Sequence, residues 1–374
     1  MNILFKIKKN KWLVGAFVFA MANLAAIFSI FGFRKYGDTQ GYIKAICWFR
    51  DAGCQIEPLR FLRPLGPMLA TRFEFLGPGA GLVIQNIIFY FLLVFLVFKI
   101  ADLVFQNKKY AFLASLFFIT STPFIETGLA YLTDTGSWFF YCLSIYLTLL
   151  YFQTGREKLI PINAFLSGLG VLLKENAGLG APFFVLMALF AKNISFKNKV
   201  VKIAVFSAIF LAIVIGWQFL CFKLFHYTFF DVYFGPAKPA AVGESVLVVA
   251  LRYLGQLFRT VGLLWPFILL GLFQVWRKKD WTKTKIFLAL LPASFSFLAW
   301  SPDAGARTTF LFAPLGILLS INGLSFLEEK MSKKWFVLMV FFLAAAIILA
   351  NYLFCWLNLR VSFVDIIAKF LGIR

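Results

Sequence analysis

Long runs of apolar residues, separated by short clusters of lysine and arginine, follow one another through almost the whole of this sequence. A run of about 20 apolar residues, rising 1.5 Å each, crosses the hydrocarbon core of a bilayer as one helix. In lipid every backbone N–H and C=O must be satisfied internally, so such runs are read as helices. Composition agrees. Apolar types make up 61% of the 374 residues and charged types 14%, against the roughly 25% that covers a water-soluble surface. One histidine in the whole chain excludes a zinc protein or a histidine-based catalyst of the usual form. The net charge of +21 does not signal nucleic acid, because the cations sit between apolar runs, as they do in the inner loops of membrane proteins. The expectation is an all-α, polytopic transmembrane helical bundle in the cell membrane, a single domain over 1–374 without internal repeats.

The basic start, Lys6 to Lys11, precedes an apolar run over 12–33. That run exceeds the roughly 7–15 residues of a signal-peptide core, and is read as an uncleaved first span with a cytoplasmic N-terminus. Further spans are expected over 80–104, 110–124, 136–152, 160–173, 177–191, 200–222, 258–276, 284–300, 308–327 and 334–357, about eleven crossings in all. Several are short. One helix over 110–152 would be roughly 65 Å long, twice the core thickness. Lys108/Lys109, Arg156/Lys158, Lys192/Lys197/Lys199, Arg277–Lys279 and Lys330/Lys333/Lys334 all belong inside by the positive-inside rule, so an even number of crossings separates neighbouring clusters. Two short hairpins follow, with outer tips at 125–135 and 174–176. Short spans are tolerated where they line a protein-walled wet cavity, which predicts a recess on the outer side. The outer segments are a first loop over 34–79, a loop with an interfacial amphipathic helix over 226–259 carrying Arg252 and Arg259, a short loop over 301–307, and a tail over 358–374.

Sixteen acidic residues can be audited singly. Asp102, Glu157, Asp280, Glu328 and Glu329 sit among inner cations as charge balance. Asp38, Asp51, Glu57, Glu74, Glu126, Asp134, Glu175, Asp231, Glu244 and Asp303 fall on the outer side, with Asp365 in the tail. Ion-coupled transporters place ionisable groups or broken helices near the membrane midplane. Acids gathered at one mouth favour chemistry or recognition at that face, and a transporter or flippase of lipid-linked saccharide is the alternative reading.

The most informative stretch is Tyr36-Gly37-Asp38-Thr39-Gln40-Gly41-Tyr42, just beyond the first span, followed by Arg60-Phe61-Leu62-Arg63-Pro64. An acidic residue outside span one with an aromatic four positions on resembles the glycosyltransferase C (GT-C) superfamily, which includes the protein O-mannosyltransferases and the aminoarabinose transferases of lipid A. The resemblance continues in Leu132-Thr133-Asp134, in Lys174-Glu175 after a short span, and in Arg307 before Phe312-Ala313-Pro314. Where many members carry an Asp-Glu pair in the first loop, Asp38 is followed here by Thr39.

The resemblance implies a GT-C-like fold with a cavity built by the first outer loop, and a sugar donor carried on a polyprenyl phosphate. The acceptor would be a glycan, a lipid or a protein; no nucleic acid is implied. Such chemistry needs a carboxylate to take the proton of the acceptor hydroxyl and cations to meet the charge growing on the leaving phosphate. Asp38 is the expected base, in one inverting displacement. Arg63, Lys174 and Arg307 are the expected phosphate partners, because Arg presents a planar fork and Lys a point charge. Tyr42 and Glu175 are expected on the substrate, and Asp134 on sugar hydroxyls, the acceptor, or a divalent metal if one is used. Structural roles stand beside these: Asp38 and Asp134 as helix N-caps, Lys174 and Glu175 as a mutual pair, Arg63 as a cation snorkelling to headgroups. Glu57, Glu126, Asp231 and Asp303 read as solvated loop residues, and His226 as an interfacial one.

Cys142, Cys221 and Cys355 read as packing residues. Cys47 and Cys54, seven apart, would lie about 10.5 Å apart on a continuous helix, beyond disulfide reach. They pair only if the chain turns at Asp51-Ala52-Gly53.

Overall fold

A computed structural model describes residues 10–51, 53–77, 79–233, 246–299 and 306–357. The start at Lys6–Lys9, the loop with Glu244, the loop with Asp303 and the tail with Asp365 lie outside these residues. The described residues form helices and turns, with no strand among them. The longer helices are α1 (Lys11–Phe31), α2 (Thr39–Asp51), α5 (Ala80–Phe105), α6 (Lys108–Ile119), α7 (Asp134–Thr154), α8 (Leu159–Leu173), α9 (Gly180–Phe190) and α10 (Phe196–Phe225). They continue as α12 (Val246–Val261), α13 (Trp265–Lys278), α14 (Trp281–Phe295), α16 (Ala313–Glu328) and α17 (Lys333–Trp356). Short helices fill the loops: α3 (Pro58–Phe61), α4 (Leu65–Ala70), α11 (Phe229–Tyr233) and α15 (Ala306–Thr309).

Every apolar run expected to cross falls largely on helix, but the helices differ in reach. Among the described residues seven are long and apolar enough to span a membrane: Lys11–Phe31, Ala80–Phe105, Asp134–Thr154, Phe196–Phe225, Val249–Lys278, Arg307–Glu328 and Lys333–Trp356. The other four runs lie on α6, α8, α9 and α14, of 12, 15, 11 and 15 residues. At about 1.5 Å per residue none of these α-helices by itself reaches across a core of about 30 Å; 3-10 turns over Glu175–Leu179 and Ser296–Ala299 lengthen α9 and α14.

Local chemistry sets the helix ends. Asn107 accepts the Lys109 N–H at the start of α6, and Asp280 accepts those of Thr282 and Lys283 at the start of α14. Pro266 and Pro314 sit in the first turns of α13 and α16, where their missing N–H costs nothing. Gly155 ends α7 in the left-handed region at φ 67° and returns its N–H to Tyr151. His226, expected as a loop residue, closes α10 in the same conformation, its ring against Phe222.

The chain divides into two compact units. One contains residues 1–32, 97–127 and 239–374. Its tightest contact joins α13 to α16. A Cβ on Gly271 would run into the Leu319 carbonyl, and one on Gly323 into that of Phe267, so the glycines let the two backbones touch, as small residues do between membrane helices. Amides add hydrogen bonds between helices that lipid cannot replace. Asn322 donates to the Gly271 carbonyl, Asn351 to that of Thr120, and Asn23 to that of Ile119. Glu126, expected in solvent, lies on a π-helical turn (Phe124–Gly128) and accepts from Arg259 at 3.1 Å, whose guanidinium covers the Phe354 ring. Both side chains are partly buried, which favours the pairing.

The other unit contains residues 33–96 and 128–238. Here α8 packs between α7 and α10, with Asn163 donating to Thr148 and Ser167 to Ser144. The first loop is ordered by an aromatic cluster: Phe61 of α3 stacks on Trp217 at 5.2 Å and meets Phe225 and Trp48 at 4.7 and 5.4 Å. Helix α2 ends at Asp51, and Cys54 then returns to form a disulfide with Cys47, their Cα atoms 5.8 Å apart. The chain turn on which that pairing depended is therefore made.

Replacing Gly323 by Leu should destabilise the protein by about 1–3 kcal/mol or more, because backbone lies where the side chain would go. Gly216→Leu, with no neighbour within 4 Å, should leave stability unchanged. Thermal unfolding of both variants in detergent checks this.

Candidate active site

The candidate residues of the first loop are placed by packing around them. Helix α2 opens where the Thr39 hydroxyl accepts the Tyr36 N–H and the Asp38 carbonyl accepts the Tyr42 N–H. Phe61, clamped in its aromatic cluster, fixes α3 and with it the neighbouring Arg60. The Arg60 guanidinium donates from Nη2 to Asp38 Oδ1 at 2.8 Å and lies 4.4 Å from the centre of the Tyr42 ring. Its side chain is 5% exposed, whereas that of Asp38 is 37% exposed. Gly41 makes this approach possible, since a Cβ there would stand 2.6 Å from Arg60 Nε. Glu57, the remaining acid nearby, is half exposed with an oxygen 3.6 Å from Arg60 Nε.

Tyr42 is fully buried, and its hydroxyl accepts from Thr133 Oγ1 at 2.9 Å. Thr133 holds the cap position of α7, and Asp134 is the first residue of the helix. The Asp134 carboxylate, fully buried, accepts from Lys174 Nζ at 2.5 Å, and sits at the helix end that favours negative charge. Lys174 is only 9% exposed and adopts an extended conformation between α8 and a 3-10 turn (Glu175–Leu179). Glu175 turns away from it and accepts from Arg63 Nη2 at 2.7 Å. Lys174 and Glu175 thus do not pair with each other; each binds a side chain from a different segment.

The result is a run of contacts: Asp38 to Arg60, Arg60 to Tyr42, Tyr42 to Thr133, and through the adjacent Asp134 to Lys174. The Arg63–Glu175 pair joins the same run, because Arg63 lies three residues after Arg60 and Glu175 follows Lys174 directly. Six of the seven residues singled out in the sequence lie in this cluster: Asp38, Tyr42, Arg63, Asp134, Lys174 and Glu175. Arg307 lies in the other unit, on α15, near Thr309, whose hydroxyl accepts from Thr260.

Arg60 and Thr133, which link the two carboxylates, stand in the motifs quoted from the sequence without an assigned role. An arginine is hardly ever buried unless paired, but burial is a property of the fold, so the sequence alone does not single out Arg60. Among the described residues no three carboxylate, imidazole or thiol side chains converge as a metal-ligand set. No metal enters the chemistry below.

Residues 73–217 match the family described as dolichyl-phosphate-mannose-protein mannosyltransferase, a GT-C type of membrane glycosyltransferase domain. The match includes Asp134, Lys174 and Glu175 and begins after Asp38, Arg60 and Arg63. No curated protein is significantly similar in sequence to the chain.

Removing one partner of a buried ion pair strands the other charge, at a cost of about 3–5 kcal/mol, whereas replacing both by apolar residues is often neutral. Lys174→Met should therefore destabilise the protein strongly, and Asp134→Leu/Lys174→Met should recover most of the loss. Unfolding free energies of the single and double variants measure this.

Proposed function

We propose that this protein transfers a sugar from a polyprenyl-phosphate donor to a hydroxyl of a glycan, lipid or protein acceptor at the extracytoplasmic face. Asp38 is the base. It is the most solvent-accessible carboxylate of the run, and Arg60 holds one of its oxygens. A carboxylate offers about four lone-pair positions, so that contact leaves room to receive a proton.

The step balances within the cluster. The acceptor oxygen gives its proton to Asp38 and bonds to the anomeric carbon. The bond from that carbon to the phosphate oxygen breaks, and its electron pair leaves with the lipid phosphate. One displacement of this kind inverts the anomeric centre. Lys174 and Arg63 meet the charge that grows on the phosphate. An ammonium has three N–H donors and a guanidinium five, so each cation can serve a carboxylate and a phosphate oxygen together. Asp134 and Glu175 then act as positioning residues that hold both cations at fixed sites, so that little reorganisation accompanies the reaction.

The observation that carries this reading is the unbroken run from Asp38 to Lys174, which joins an accessible carboxylate to a buried, oriented ammonium. Asp38→Asn keeps the shape and removes the base. Transfer from a defined polyprenyl-phosphate sugar by the purified protein should fall about 10²–10⁴-fold while donor binding persists. Full transfer by the variant would refute the role of Asp38. Movement of the donor across a bilayer by the wild type, with no bond cleaved, would instead identify a flippase.

A further inference from the structure

At the end of one unit, far along the sequence from the residues above, a cavity of about 340 Å³ opens between the ends of α5, α6, α13, α14 and α16. Its lining includes Phe105, Gln274, Lys278, Lys283, Glu328 and Glu329. The two carboxylates are already engaged. Glu328 accepts from Lys109 and from the Tyr110 hydroxyl, and Glu329 accepts from Lys278 at 2.6 Å. Lys283 is different. Half-buried on the first turn of α14, it lies 5.2 Å from the centre of the Phe105 ring and 3.4 Å from Asn322 Oδ1. Among the described residues no carboxylate stands within ion-pair distance of its ammonium. A cation that faces a cavity and is only weakly compensated calls for an anion.

The surroundings say where that anion comes from. Arg277, Lys279 and Lys330 are exposed beside the cavity. Trp276 and Trp281, on the ends of α13 and α14, are 77% and 41% exposed, and Trp335, at the start of α17, is 64% exposed. Exposed tryptophans next to clustered cations are the pattern of helix ends at the headgroup level of a bilayer, and basic pockets between helices at that level hold acidic headgroups. The volume is about that of eleven water molecules at roughly 30 Å³ each, enough for a phosphodiester and its glycerol.

We infer that this cavity is a binding site for the headgroup of an anionic phospholipid, with Lys283 as its central contact and Lys278 beside it. The acyl chains would lie along the exposed apolar flank of α13, which carries Leu269, Leu272 and Phe273. The site is independent of the proposed transfer chemistry.

Native mass spectrometry of the full chain in an uncharged detergent provides the test, with phosphatidylglycerol and phosphatidylcholine as probes. The wild type should retain phosphatidylglycerol over phosphatidylcholine. Lys283→Gln should weaken that retention about fivefold, the share of one cation near a charged surface, and Lys283→Arg should restore it. In the unaltered protein, phosphatidylglycerol should also shield Lys283 from an amine-reactive reagent. Equal retention of the two lipids, unchanged retention in Lys283→Gln, loss in Lys283→Arg, or unchanged reactivity of Lys283 would each overturn the inference. So would full displacement of the lipid by millimolar glycerol phosphate, which would make the site one for a soluble anion.

Discussion

A charge removed from water must find a partner, and in a chain with so few acids that requirement shapes the fold. Moving an ion into a low-dielectric interior costs several kcal/mol even after relaxation. Asp134 is fully buried and tolerates its place because Lys174 reaches it from forty residues away. Glu175 is bound by Arg63 across 112 residues, and Asp38 by Arg60 across 22. The Arg63–Glu175 and Asp134–Lys174 pairs fasten the first loop and α7 to the segment after α8, and the Asp38–Arg60 pair closes the first loop on itself. Arg60 and Arg63, three residues apart, and Lys174 and Glu175, adjacent, make the three pairs a single cluster. The same rule governs the other unit, where Glu126 lies against Arg259 and Glu328 against Lys109.

What could be read from the chain before its structure follows from the range of the interactions involved. Apolar runs report on their own helices, and each of the eleven runs lies largely on helix among the described residues. Their lengths as helices depend on caps and breaks, which is why α6, α8, α9 and α14 are too short to span alone. Pairings are non-local and were read less well. Lys174 and Glu175 invited a mutual pair because they are neighbours, yet Lys174 is extended, with φ −166° and ψ 141°, and successive side chains on extended backbone point to opposite sides. Glu126 reads as a solvated residue because nothing near it in sequence announces Arg259. The disulfide depended on where α2 ends, and Asp51 ends it in time for Cys54 to return to Cys47.

Of the candidate site, the six residues that cluster could be named from the chain through the motifs that resemble the GT-C superfamily. The residue that joins them could not. Arg60 is one arginine among several until the aromatic cage of Phe61 and the absent side chain of Gly41 seat it between Asp38 and Tyr42. The family match over 73–217 covers the half of the cluster built around Asp134 and Lys174. The half built around Asp38 is joined to it by the hydrogen bond from Thr133 to Tyr42.

The most direct measurement is a structure of Asp38→Asn with an intact polyprenyl-phosphate sugar bound. The account predicts the donor phosphate within hydrogen-bond distance of Lys174 Nζ or the Arg63 guanidinium, and the anomeric carbon on the side of residue 38. A donor seated with its phosphate remote from both cations, or with its sugar turned away from residue 38, would contradict it.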